Sequence, residues 1–186
     1  MNNMAHIYRG TLLKLARDSI AHGLEHGHPL PVAIENQPQE LQICAASFVT
    51  LRLEDELRGC IGTLEAIRPL AVDIAANAWA AAFRDPRFWP VSRAEFERLD
   101  IHISILSAPE PMSFVSEADL IAQLRPGIDG LIMEEGHRRG TFLPAVWESL
   151  PESADFLRQL KRKAGLPADY WSQSLRVQRY TTESVG

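Results

Sequence analysis

Phe48-Val49-Thr50-Leu51-Arg52-Leu53-Glu54-Asp55-Glu56-Leu57-Arg58-Gly59-Cys60-Ile61-Gly62 is the stretch that decides the fold. From Phe48 to Asp55 the side chains alternate. Val49, Leu51 and Leu53 point one way, and Thr50, Arg52 and Glu54 the other, which is the period of a half-buried strand. Leu57 to Gly62 continues as a second strand after a tight turn at Asp55-Glu56. Two adjoining strands break strict βαβ alternation, so the class is α+β with a mostly antiparallel sheet flanked by helices.

The neighbouring segments agree. On the C-terminal side, residues 70–83 form an Ala-rich helix with Leu70, Ile74, Ala78 and Phe83 near one face. Its alanines let backbones approach closely, so it belongs against a sheet or another helix, and Pro86 and Pro90 end it. Ile101, Ile103 and Ile105 alternate with His102 and Ser104 in a further strand. On the N-terminal side, residues 6–27 read as an amphipathic helix built on Leu13, Ala16, Ile20 and Leu24 and closed by Gly27 and Pro29. Farther along, residues 116–124 predict a short helix capped by Ser116, and residues 130–135 a strand. Ser149 and Glu152 suggest a capping box for a helix reaching Ala164, and residues 175–178 a last strand.

The chain has 186 residues, 46% apolar and 23% charged. That is enough to bury a core without a disulfide or metal staple. A net charge of −5 argues against general nucleic-acid binding. No apolar run approaches the length of a membrane span, and the start at Met1-Asn2-Asn3-Met4 has no secretory character. Cys44 and Cys60 are sixteen positions apart, which is no metal-hook spacing, and a lone pair of cysteines is expected to be reduced thiols in a cytoplasmic protein.

Three places carry candidate chemistry. In Leu57-Arg58-Gly59-Cys60-Ile61-Gly62, glycines within a strand mark a bulge or a close approach by another group. Arg58 shares a face with Cys60 in a regular strand, where a guanidinium favours the nucleophilic thiolate. The plainer reading is a buried structural cysteine. In Phe83-Arg84-Asp85-Pro86-Arg87-Phe88, Arg84 and Arg87 serve either as caps for the helix end or as two forks for a carboxylate or phosphate. In Arg138-Arg139-Gly140-Thr141-Phe142-Leu143-Pro144, read as leaving a strand for a turn, Thr141 presents a hydroxyl with Arg139 nearby. His22-Gly23-Leu24-Glu25-His26 matches a zinc-peptidase pattern, but nothing in the sequence marks the third ligand a zinc site needs, so no metal set is named. His102 shares a sheet face with Ser104 and Leu106 and reads as a hydrogen-bonded packing residue, although it is the histidine best placed to act as a base. The basic run Arg158, Lys161, Arg162 and Lys163 reads as a solvated face.

Taken in order, the Leu57–Gly62 hexapeptide, the Phe83–Phe88 segment and Gly140-Thr141-Phe142-Leu143-Pro144 resemble the AMMECR-one family, whose prokaryotic branch is the AmmeMemoRadiSam system protein A. The resemblance covers about residues 8 to 182 and implies one domain of two unequal lobes with a cleft. It also implies association with a Memo-like protein and a radical S-adenosylmethionine enzyme in a modification pathway, with no defined activity or cofactor. On the glycine-flanked cysteine beside an arginine, the candidate catalytic residue is Cys60, with His102 as a base. The candidate binding residues are Arg58, Gly59, Gly62, Arg84, Asp85, Arg87, Arg139 and Thr141, for a small-molecule or protein substrate. The alternative is a non-catalytic ligand-binding or adaptor module. After Pro144 the chain has Val146-Trp147-Glu148-Ser149-Leu150-Pro151 where many members carry a Gly-Trp-Asp segment.

Overall fold

The structure is a computed structural model that describes residues 4–186. The chain divides into two compact units. The first runs to Leu106 and takes back Glu183–Gly186; the second is Ser107–Thr182.

The first unit begins with α1 (Met4–Ile7) and α2 (Arg9–His26). The helix expected over residues 6–27 is thus broken at Tyr8. Gly27 closes α2 in the left-handed conformation, φ 75°, a backbone state glycine adopts at no steric cost. After α3 (Gln39–Gln42) comes the hairpin of β1 (Ser47–Leu53) and β2 (Glu56–Gly62). Its turn falls on Glu54 and Asp55, both at positive φ, one residue earlier than the sequence suggests. The Ala-rich helix α4 (Leu70–Phe83) has the bounds read from its pattern. Then follow α5 (Arg93–Phe96), β3 (Leu99–Leu106) and, in the second unit, β4 (Glu110–Pro111), α6 (Glu117–Gln123), β5 (Gly130–Glu135), β6 (Arg138–Phe142), α7 (Ser153–Lys163) and β7 (Arg176–Tyr180). The last strand, β8 (Thr182–Val185), returns to the first unit's sheet.

Two four-stranded sheets result, ordered β2-β1-β3-β8 and β4-β7-β5-β6. The pairings of β1 with β2 and β3, and of β7 and β6 with their neighbours, are antiparallel, as the hairpin reading requires. In the first unit α2 and α4 pack on each other, and both contact the sheet. Leu12, Ile20, Ile74, Val49, Leu51 and Ile103 fill the space between them. In the second, Leu131, Met133 and Val177 meet Phe156, Leu157 and Leu160 of α7, and Trp147 stacks on Phe156 at 3.8 Å.

A buried polar hub pins α4 to the first sheet. The Asp73 carboxylate, with no exposed surface, accepts from Ser47 N (2.9 Å), Ser47 Oγ (2.6 Å), Thr63 Oγ1 (3.0 Å), Arg68 Nε (2.7 Å) and Asn77 Nδ2 (2.8 Å). A carboxylate removed from water is tolerated only when its lone pairs are met in this way.

Several expectations are corrected. Ser149 closes a 3₁₀ turn by donating to the Val146 carbonyl and does not cap α7, which starts four residues later after Glu152. The capping box that does form is Ser92 with Glu95, which the reading passed over. Residues 138–142 are strand β6 and not a turn. Lys161 is fully buried, its ammonium donating to Glu117 at 2.7 Å, so the basic run of α7 is not wholly a solvated face.

Candidate functional site

Cys60 lies half-buried on β2, an edge strand. In an antiparallel ladder every second residue of an edge turns its N–H and C=O away from the sheet, and unmet edge groups invite pairing with another chain. At Cys60 both outward groups are met by the segment that follows α4. The Cys60 N–H donates to Asp85 Oδ2 at 2.9 Å, and the Cys60 carbonyl accepts from Arg87 Nη2 at 3.4 Å. Arg87 in turn donates to the Asp85 carboxylate through Nε (2.9 Å) and Nη2 (2.7 Å). Asp85-Pro86-Arg87 therefore imitates one residue pair of a neighbouring strand. Neither arginine side chain caps the end of α4: Arg87 serves Asp85 and the edge of β2, and Arg84 lies over Trp79.

The Arg87 guanidinium holds the Asp85 carboxyl well below the usual carboxylate range, and the N–H bonds from Cys60 and Arg87 reinforce it against burial. A depressed folded value means stabilisation that is fully present above the unfolded value near 3.9 and is lost as pH falls through the folded one. Asp85→Asn is expected to cost about 2 kcal/mol at pH 7. In urea melts its deficit relative to the parent narrows steadily below about pH 4. A deficit independent of pH would show that the ion pair contributes nothing.

The other guanidinium groups are also committed. Arg58 donates to Glu95 through Nε (2.8 Å) and to the Trp89 carbonyl through Nη2 (2.9 Å), and none of its hydrogen bonds reaches the sulfur. Arg58 and Ser92 together bring the Glu95 carboxyl down to about 2. Arg58 Nη1 is buried with no hydrogen-bond partner. Arg84 lies over the Trp79 ring at 5.2 Å. The two glycines of the hexapeptide serve close approach, but the approaching groups are the protein's own. A Cβ on Gly59 would sit 2.2 Å from the Ala81 carbonyl oxygen of α4, and one on Gly62 would sit 2.3 Å from the Phe48 ring.

The sulfur's hydrogen bond comes from Thr50, whose Oγ1 donates to Cys60 Sγ at 3.2 Å. Thr50 is the register partner of Cys60 on one side and of His102 on the other. Cys60, Thr50 and His102 thus form a row across three strands, on the face opposite buried Val49, Leu51, Ile101 and Ile103. Adjacent residues in such a row are about 5 Å apart. Sequence reasoning named the two ends and missed Thr50, which only the register of β1 reveals. It also missed Glu95, although Ser92-Arg93-Ala94-Glu95 carries the capping-box spacing.

Arg139 and Thr141 belong to the second unit. Arg139 pairs with Glu134 at 3.2 Å across the β5–β6 ladder. The Thr141 hydroxyl donates to the Leu131 carbonyl at 2.8 Å and meets the Tyr180 hydroxyl at 3.1 Å. Burial pushes Tyr180 up to about 12. Among the described residues there is no group of three or more His, Cys, Asp and Glu side chains that could hold a metal ion. No helix is long and apolar enough to cross a membrane.

Comparison with known proteins gives one consistent result. The AMMECR1 family model matches residues 13–185. A protein of Methanothermobacter thermautotrophicus is 37% identical over 179 residues, covering 93% of this chain and 91% of its own. One from Thermotoga maritima is 43% identical over 152 residues, covering 80% and 82%. The crystal structure of an uncharacterised protein from Pyrococcus horikoshii superposes with a TM-score of 0.86 at 34% identity, over 94% of this chain and 88% of that one. By family model, by sequence relatives and by fold, the chain belongs to the AMMECR1 family.

Proposed function

We propose that the chain is a thiol-bearing component of a modification pathway, with Cys60 as the nucleophile or acceptor for an electrophilic group. The resemblance to system protein A supplies the partners of this reading, a Memo-like protein and a radical S-adenosylmethionine enzyme. The observation that carries it is the row Cys60–Thr50–His102, in which a hydroxyl already bonded to the sulfur stands between it and an imidazole. The backbone of Cys60 is held at both polar groups, so the thiol is positioned before any substrate arrives. The sulfur attacks the electrophilic centre, whose leaving group departs with the electrons of the broken bond, and the thiol proton passes to solvent or, by way of the Thr50 hydroxyl, to His102.

Alkylation with iodoacetamide tests this, with Cys44, an exposed free thiol of the same chain, as the internal reference. Cys60 is expected to react faster than Cys44 at pH 7 despite its lower exposure. Thr50→Val and His102→Ala are each expected to slow Cys60 severalfold and leave Cys44 unchanged. A Cys60 that reacts more slowly than Cys44 and ignores both substitutions rules the thiol reading out.

A second reading is a non-catalytic binding or adaptor module. It is favoured by the commitment of Arg58 and Arg87 to carboxylates and by the orphaned Nη1 donor of Arg58, which suits a carbonyl or anionic oxygen. On that reading Cys60→Ala keeps pathway activity, whereas the thiol reading requires its loss.

A further inference from the structure

We infer that the C-terminal turn of α2 is a pH-sensitive latch on the end of α4, and through it on the segment that holds the backbone of Cys60. The latch is closed while His22 is neutral and opens when that ring takes a proton. It stands on packing and charge, and it holds whether or not the thiol is used.

Three imidazoles crowd this turn. The ring centroids of His22 and His26 are 4.3 Å apart, and those of His22 and His28 4.8 Å. His26 and His28 are exposed, whereas His22 is half-buried, and its Nε2 is covered and has no hydrogen-bond partner. A proton on that ring is a charge drawn out of water without an acceptor. The surrounding groups do little to offset it. Glu25, the carboxylate of this turn, is shared with His26 at 3.8 Å and with Arg93 of α5 at 3.9 Å. From α4 come Arg84, a cation lying over the Trp79 ring, and the covered Trp79 Nε1–H, a second donor without an acceptor. β3 meets α2 farther back along the helix, at Arg17. The carbonyl end of a helix favours a cation, but the Gly23 carbonyl already accepts from Gly27 N–H at 2.9 Å. Burial pushes the His22 imidazole below its ordinary value, and the fields of His26 and His28 push it further, with Glu25 opposing.

The next residue carries the effect to α4. Gly23 lies so close to the last turn of that helix that a Cβ on it would sit 2.5 Å from both Trp79 Cδ1 and Phe83 Cε2. Phe83 ends α4, and two residues later Asp85 accepts from the Cys60 N–H. Packing this tight is either made or lost. Turning His22 out into water draws Gly23 away from Trp79 and Phe83, and the segment of Asp85 and Arg87 is then free to leave the edge of β2. Because the packed ring resists protonation, the latch is fully closed above the released ring's ordinary value of about 6.5 and loosens as pH falls below it. The carboxyls of Asp85 and Glu95 titrate far lower and stay ionised throughout that range.

Hydrogen exchange of the full chain, followed by NMR at pH 7.5 and pH 5.5, tests the latch. A released imidazole is about nine-tenths protonated at pH 5.5, so opening is favoured about tenfold there if the packed ring stays neutral. Protection of the Cys60 amide, corrected for intrinsic exchange, is therefore expected to fall about tenfold between the two conditions, and that of Met133 in the second unit to stay within about twofold. In His22→Gln the fall at Cys60 is expected to vanish. In His102→Asn it is expected to remain, which separates the latch from the imidazole that shares a row with Cys60. The His22 ring of the parent protein, titrated by NMR, is expected to protonate below its ordinary value, a readout that needs no variant. A His22 that protonates at or above that value would overturn the inference. So would the lack of a fall at Cys60, an equal fall at Met133, or a fall that survives His22→Gln.

Discussion

Asp73→Ala is expected to destabilise the first unit by about 4 kcal/mol, the range for removing one partner from a buried charged pair. The carboxylate is the common acceptor for a backbone N–H, two hydroxyls, a guanidinium and an amide. Its loss strands the N–H and hydroxyl of Ser47, which has no exposed surface, and leaves Arg68 without its carboxylate. Each stranded buried donor costs about 1–3 kcal/mol by itself. Against a total stability of roughly 5–15 kcal/mol, that is a large fraction. Hydrogen exchange across β1 is the appropriate measurement, because it reads this unit directly. Protection factors in β1 are expected to fall about a thousandfold, and a fall below tenfold would mean that the hub is not what fastens α4 to the sheet.

The second large effect is at Gly59. Replacement by alanine puts a methyl group 2.2 Å from the Ala81 carbonyl oxygen, which is backbone inside α4 and cannot rotate away. The helix must lift or the strand must bulge, for a cost of about 3 kcal/mol. Gly10→Ala on α2 is the contrasting case. Nothing lies within 4 Å of its added methyl, and the change is expected to stabilise by about 0.5–1 kcal/mol through helix propensity. Urea denaturation of the two variants should move in opposite directions. If Gly59→Ala were neutral, the hexapeptide's first glycine would not owe its place to the packing of α4.

The parts of the fold that could be read in advance are those where period and burial coincide. Val49, Leu51 and Leu53 alternate because one face of β1 meets the helices, and α4 keeps its bounds because Pro69 and the segment ending at Pro86 flank a run of strong helix formers. Strand β6 escaped because its inward position is Gly140, pressed against the Ala164 backbone, where an apolar residue would have announced a strand. Strand β8 is a short edge of Thr182, Glu183, Ser184 and Val185, with little apolar signal. Lys161 misled because the head of a lysine reads as solvent-facing, while its stem and ammonium are both covered here. In the candidate site, Cys60 and His102 were visible as residue types. Their relation was not, because it depends on the register of β1 with two partners. Nor did the separation of twenty-five positions from Cys60 to Asp85 reveal that the end of α4 would bring a carboxylate onto the edge of β2.

The placement of β8 has a consequence for synthesis. The first sheet ends in a strand, β8, that is synthesised only after residues 107–181 of the second unit. Until then the nascent chain displays β3 with one flank bare, and an unfilled flank is a template for mispairing. The N-terminal half therefore cannot mature in vectorial order. A chaperone holding β3 during the intervening seconds of elongation, or slow codons placed before Ser107, would alter the yield of native protein without touching a residue of the finished fold.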